Sequence, residues 1–380
     1  TLLILGEWRN MKRIYIDHGA GSPLRPAVWR AMRPWLKWGI GEPQSLYEEG
    51  RRAKAAMERA QTELGEFSGF KASEIYLIDS ATSAMRILCE QVKKGMSATT
   101  DFRAAALATD HVSIFKAFES VGARVIKIGV DSAGIIKEND LREAIDLGVN
   151  LISIVAVNSE TGVRQPLERI GKLIHDGKKR ASETVFHIDA TQAAGHLVLS
   201  PGAWKCEAMT FSSTKLGGPK GAAALCCKSR LGWKRWPGGT VNVPAVVGFG
   251  EAARQSRRNL SGEVRRLARF KGLFLDKISK AKLKFKVNGD QEFASVHLLN
   301  LTFPGIDGER LLLELDRLGV AVSAASACVT NEPSRVLKVM GRSESEVTSS
   351  LRFSFGWSTT RQEIIWSTKL LEKAIDRLTR

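Results

Sequence analysis

At 380 residues the chain is longer than one compact core usually holds, so two domains are expected. Its 43% hydrophobic and 26% charged residues exclude a disordered or fibrous protein, and no apolar run approaches the ~20 residues that span a bilayer. The formal net charge of +17 raises an RNA or acidic-protein partner, but the basic residues are spread along the chain apart from a concentration over 254–271. They complete no nucleic-acid motif, and direct nucleic-acid binding is not expected.

The apolar opening, residues 1–6, is short and lacks a basic leader, so it does not read as a signal peptide. From residue 73 apolar strands alternate with amphipathic helices. Strands are predicted over 73–80, 104–110, 123–130, 151–157, 184–189, 208–213 and 222–228, with helices over 82–94, 112–121, 139–147 and 166–180. Such βα alternation implies a mostly parallel sheet covered by helices on both faces. After Asn242 a long helix runs to about residue 280, and a second, smaller α+β pattern follows. It has strands over 295–303, 320–324 and 350–355, and helices over 308–318, 333–340 and 360–378.

In parallel α/β sheets ligands sit at the carboxyl ends of the strands, where helix N-termini also point. Those ends carry Ser80, Ala81 and Thr82, then His111, then Asn158 and Ser159, then Asp189 and Gln192, and lastly Ser212, Thr214 and Lys215. Singly each has a bland reading. Thr82 suits a helix N-cap, and His111 suits a loop histidine. A carboxylate and a lysine directly after apolar strands are harder to explain without a partner or a chemical use. Together they offer a phosphate cradle, a stacking ring, a carboxylate and an amine, which is what a pyridoxal phosphate site requires. Lys220, in the Gly/Pro turn 217–221, is the rival lysine and reads as an exposed turn residue.

The five cysteines (Cys89, Cys206, Cys226, Cys227 and Cys328) are odd in number and lack framework or zinc-ligand spacing. They argue for a reducing, cytoplasmic setting and against a structural metal. Cys328 lies among small polar residues suited to an exposed, activated thiol. Cys226 and Cys227 fall inside a strand and read as packed; Cys206 is the other thiol open to consideration.

Motifs along nearly the whole chain resemble those of the cysteine desulfurases, the NifS/IscS-like branch of class V aminotransferase-fold enzymes. They are IYIDHGA at 14–20 with Pro23, EPQS at 42–45 with Gly50 and Arg51, TDH at 109–111, VNSETG at 157–162 and HIDATQ at 187–192. Further on come SSTK at 212–215 with GPKG at 218–221, GTVNVP at 239–244, FPGIDGE at 303–309, SAC at 326–328, PSRVLK at 333–338 and RFS at 352–354. The resemblance implies a pyridoxal-phosphate-dependent transferase of fold type I, with a seven-stranded-type sheet. It also implies a large cofactor-binding domain over 28–262 and a small domain formed by 1–27 with 263–380.

The roles it implies are these. Lys215 holds the cofactor as a Schiff base and later moves protons. Asp189 pairs with the pyridine nitrogen, His111 stacks on the ring, and Gln192 and Ser159 lie near its oxygen. Ala81, Thr82, Ser212 and Thr214 hold the phosphate, joined by Thr240 from the second subunit of a homodimer. Arg352 clamps the carboxylate of the substrate L-cysteine, and Cys328 takes the sulfur as a persulfide, leaving L-alanine. The sulfur then passes to an acceptor protein, an iron–sulfur scaffold or a thiolation enzyme. The chain departs from the family at Thr214 in place of histidine, Ser159 and Glu42 in place of asparagines, and a shortened 233–239. Two alternatives stay open: a selenocysteine lyase or other aminotransferase-like relative, and a binding protein that kept the fold and lost the activity.

Overall fold

The computed structural model describes residues 13–96, 101–178, 184–231, 241–324 and 333–379. The first elements are strand β1 (Ile14–Tyr15) and helices α1 (Pro26–Trp38) and α2 (Glu48–Ser68), a region for which the sequence pattern gave no elements. The inward face of α2 is largely small, with Ala53, Ala56 and Ala60 buried before Leu64 and Phe67. That lets it lie close to the long helix described below. A Cβ on Gly250 of that helix would come within 2.7 Å of the Ala60 Cα, so the crossing requires glycine.

The βα repeat follows as β2 (Ile75–Ile78), α3 (Ala81–Lys94), β3 (Arg103–Leu107), α4 (Val112–Ser120), β4 (Arg124–Ile128), α5 (Glu138–Asp146), β5 (Leu151–Val155), α6 (Leu167–Lys178), β6 (Val185–Asp189), β7 (Ala208–Ser212) and β8 (Ala223–Cys227). Each strand but β3, which begins one residue early at Arg103, lies within its predicted span, usually shorter by a residue or more at the carboxyl end. These seven strands form one sheet in the order β2-β8-β7-β6-β5-β3-β4. The run β7-β6-β5-β3-β4 is parallel, whereas β8 is antiparallel to both of its neighbours. Its reversal follows from the tight Gly/Pro turn at 217–221, which is too short for a crossover helix. Strands β3 and β5 are covered on both faces, and all five residues of β5 are buried.

Helix α7 (Val243–Lys280) spans 38 residues and starts at an Asn242 cap whose side-chain oxygen accepts from the Ala245 N–H at 3.1 Å. Its amino half puts Ala245, Phe249 and Ala253 into the core under the large sheet. Its carboxyl half puts Leu267, Phe274 and Ile278 into a second core. That core also holds Ile14 and Ile16 from the start of the chain and Leu299, Leu301 and Phe353 from near its end.

The remaining elements are β9 (Lys286–Val287), β10 (Leu298–Thr302), α8 (Gly308–Arg317), β11 (Val320–Ala321), β12 (Ser323–Ala324), α9 (Arg335–Val339), α10 (Glu344–Thr348), β13 (Ser350–Ser354) and α11 (Arg361–Thr379); most pack round the second core, whereas Leu298 of β10 and Val336 of α9 join the first. Strands β12-β13-β10-β9 form an antiparallel sheet, and β11 pairs in parallel with β1. The single strand expected over 320–324 is therefore two strands serving different sheets. No helix among the described residues is long and apolar enough to cross a membrane.

Candidate active site

Strands β7, β6, β5 and β3 are parallel and adjacent, so their carboxyl ends open on one edge, and β2 ends on the same edge beyond β8. This brings together residues scattered over 135 positions of sequence, from Ser80 to Lys215. At the start of α3 the cap is Ser80, whose hydroxyl accepts from the Ser83 N–H at 3.1 Å; Thr82 stands exposed in the first turn and is not the cap. The N–H groups of Ala81 and Thr82 make no hydrogen bond among the described residues. With the helix dipole they form an anion-attracting end. The Ser212 and Thr214 hydroxyls lie 3.0 Å apart after β7.

Asp189 closes β6, with one carboxylate oxygen accepting from the Thr191 N–H at 2.9 Å. His111 caps α4: its Nδ1 accepts from the Ser113 N–H at 3.2 Å and lies 2.8 Å from the Ser113 hydroxyl. A backbone N–H has only a donor role, so Nδ1 carries the lone pair and the neutral ring keeps its proton on Nε2. Burial in the cleft holds the pKa of His111 below its ordinary value, against the pull of Asp189. Next to it Asp110 is fully buried, accepting from the Val155 and Leu107 N–H groups at 3.2 and 3.3 Å. Its desolvation pushes its carboxyl well above the usual range.

The hub of the site lies in the N-terminal stretch. Lys215 is half-buried, and its Nζ donates to the carbonyls of Gly19 at 2.9 Å and Ala20 at 2.6 Å. Gln192, buried, donates to the same Gly19 carbonyl at 2.9 Å and accepts from His297 at 3.3 Å. His297 stacks on His196 with centroids 3.5 Å apart. Gly19 is closely surrounded: a Cβ there would stand 3.0 Å from the Leu298 Cδ2, 3.1 Å from the Ser354 Oγ and 3.4 Å from the Arg352 Cζ. Arg352, 4% exposed, reaches over from the small sheet. It donates to Asp17 at 2.8 Å and to the Ser159 carbonyl at 3.0 Å, and its Nε is buried without a partner.

Lys220 is exposed in its turn. Four cysteines are buried, Cys206 among them. Burial pushes the Cys89 and Cys206 thiols up to about 12 and those of Cys226 and Cys227 higher still, so none is a ready thiolate. Cys328 and Thr240 lie outside the described residues. Sequence reasoning passed over Asp17, Gly19 and His297 as individual site residues. The first two fall inside the motif at 14–20, and that motif was their only signal.

The aminotransferase class-V family model matches residues 14–238 and 233–365. The mitochondrial cysteine desulfurase of Drosophila melanogaster is 32% identical over 99% of this chain and 83% of its own length. The cysteine desulfurase of Rattus norvegicus is 32% identical over 97% and 84%. Among solved structures, a NifS-like protein superimposes with a TM-score of 0.88 at 23% identity, covering 96% of this chain and all of that one. The cysteine desulfurase of Thermococcus onnurineus NA1 gives 0.83 at 17% identity, over 97% and 96%. At those identities the structural likeness speaks for the fold alone.

Proposed function

The chain belongs to the aminotransferase class-V family and, within it, to the cysteine desulfurases, and from that premise we propose that it converts L-cysteine to L-alanine and passes the sulfur to its own Cys328. The observation that carries the reading is the convergence of Lys215, Gln192 and Arg352 around Gly19. It sets an amine and a substrate-sized cation beside the carboxyl edge of the sheet.

The donor set suits pyridoxal phosphate. Lys215 supplies the amine, and Asp189 a carboxylate with one oxygen free of described hydrogen bonds. Ser212, Thr214 and the first turn of α3 at Ala81 and Thr82 supply the phosphate cradle. When bound, the cofactor supplies an electron sink for the substrate's α-carbon. Lys215 would hold it through Nζ, the same atom that can carry protons. Asp189 would pair with the ring nitrogen, His111 would stack on the ring, and Ser159 and Gln192 would lie on its oxygen side. Arg352 already offers Nη1 and Nη2 as donors in the cleft, and it takes the substrate carboxylate by the same planar fork. In the sum, the C–S bond of cysteine breaks and an S–S bond forms on Cys328. Cysteine plus enzyme thiol gives alanine plus enzyme persulfide, and no external oxidant enters.

Cys328, and Thr240 reaching from the second subunit of a homodimer, take these roles from the sequence motifs. The division into a large domain over 28–262 and a small one of 1–27 with 263–380 is supported by the second core, which joins Ile14 and Ile16 to residues from Leu267 to Ile375. A cytoplasmic enzyme delivering sulfur to an iron–sulfur scaffold or thiolation partner completes the reading. Borohydride reduction followed by peptide mapping should put the cofactor adduct on Lys215; an adduct on Lys220 would sink the assignment. With an excess of thiol reductant to discharge the persulfide, cysteine should yield alanine and sulfide one for one. Cys328→Ala should bind the cofactor and release almost no sulfide, and normal turnover by that variant would overturn the persulfide step.

A further inference from the structure

The turn that carries His111 is held to an unusual degree. Leaving β3, the carbonyls of Ala108, Thr109 and Asp110 are each taken by a side chain. Asn158 donates to Thr109 at 3.0 Å, and the guanidinium of Arg335 donates to both Ala108 and Asp110. Arg335 comes from α9, more than 220 positions away in sequence, and its guanidinium lies over the Phe115 ring at 5.0 Å, inside the helix that His111 caps. The neighbouring Ser334 hydroxyl donates to the Glu160 carboxylate, so the same short helix also grips the loop after β5. Arg352 and Asn300 hold that loop through the carbonyls of Ser159 and Glu160. The two strand-end loops that bear His111 and Ser159 are thus clamped by side chains of the smaller lobe.

We propose that Arg335 is a positioning residue for the reaction, holding the His111 turn so that the imidazole presents a fixed face and a fixed Nε2–H to the cleft. The inference rests on the functional reading above for what His111 meets there, but not for the clamp itself. A planar fork that spans two carbonyls two positions apart fixes a turn as a single-point ammonium cannot. The groups facing His111 are Asp189 from β6, Lys215 after β7 and Arg335 from α9, with Ser113 on its own helix. Asp189 favours the charged ring; Lys215 and Arg335 oppose it.

Two substitutions separate fork from charge. Arg335→Lys keeps the cation and loses the paired bonds, whereas Arg335→Met loses both. The first measurement is ¹⁵N-histidine NMR of the protein without added cofactor, with His111 identified as the signal missing from His111→Gln. Both variants should move the His111 ring shifts. Only Arg335→Met should also raise its titration midpoint, because a neighbouring positive charge is gone. Ring shifts unchanged in both variants would overturn the proposal.

The second measurement is steady-state desulfuration with pyridoxal phosphate. Both variants should lower kcat roughly ten- to hundredfold, the scale of a catalytic group displaced by a fraction of an ångström. KM should stay near the parent's because Arg352 is untouched; a raised KM with unchanged kcat would also overturn it. A parent protein that neither takes up the cofactor nor turns over cysteine would defeat the functional reading, and the His111 shifts would still decide the role of Arg335.

Discussion

The two main sheets of this molecule supply the site in different ways. In the large sheet the strands are apolar and the proposed site residues gather where they end: His111, Ser159 and Lys215 stand after buried strands, and Asp189 is the last residue of β6. In the small sheet the proposed substrate-binding residue sits within a strand. Arg352 is the third residue of β13, directly opposite Asn300 of β10, and is 4% exposed. A polar row continues beside it, where the buried Asn288 amide donates to Asn300 and Thr302 at 2.8 Å and to Ser350 at 3.3 Å. A strand-end residue can be changed without disturbing the ladder beneath it. A mid-strand charge is also part of the core, and its removal strands its partners.

That contrast predicts different signatures. Lys215→Ala should show the largest functional loss, roughly 10²–10⁴-fold or more in desulfuration, with a denaturant midpoint close to the parent's. A strongly destabilised Lys215→Ala would break the contrast. Arg352→Ala should lose activity and stability together, because Asp17 is left behind as an uncompensated charge at 15% side-chain exposure. The cost expected for such a partner is about 3–5 kcal/mol by urea titration. Arg352→Lys should recover most of the stability and little of the kcat/KM, since a point charge cannot replace the fork.

Asn288→Ala touches no proposed catalytic residue directly. It should cost about 1–3 kcal/mol for the acceptors it abandons. A change in stability below the measurement error would mean that the polar row is not structural.

The smallest effect per unit change is that of pH. His187, fixed between Ser153 at 2.8 Å and Thr210 at 3.1 Å in the large sheet, is held by burial at a pKa of about 3. His18, near the small sheet, is held at about 4, chiefly by burial and further by Arg266 and Arg25. Both are lowered relative to the unfolded value of about 6.5, so the unfolded chain takes up protons first. Their contribution to stability is full above pH 6.5. It falls as the pH drops from 6.5 towards 4, by up to about 1.4 kcal/mol per unit for each. Urea midpoints at pH 7.5, 6 and 5 test the sign; stability rising on acidification over that range would refute it.

Much of the large sheet was legible because its strands are continuous apolar runs separated by helical periods, and because a parallel sheet puts strand ends on one edge. Lys215 could be preferred over Lys220 on that ground alone. The reversal of β8 and the helices α1 and α2 were not anticipated. The cap on α3 went to Ser80 rather than Thr82, since either residue type satisfies the same local rule.

The sequence by itself determined the fold class, the order of the strand ends and the residue types gathered on them, since these depend on local periodicity and on the geometry common to parallel sheets. Only the tertiary structure decided that Asp17 pairs with Arg352 across 335 positions, that Gly19 lies between Lys215, Gln192 and Arg352, and that Arg335 grips the His111 turn. The physical reason is that these contacts join segments far apart in the chain. No periodicity encodes them, because each depends on where the long helix α7 and the returning N-terminal strand bring those segments together.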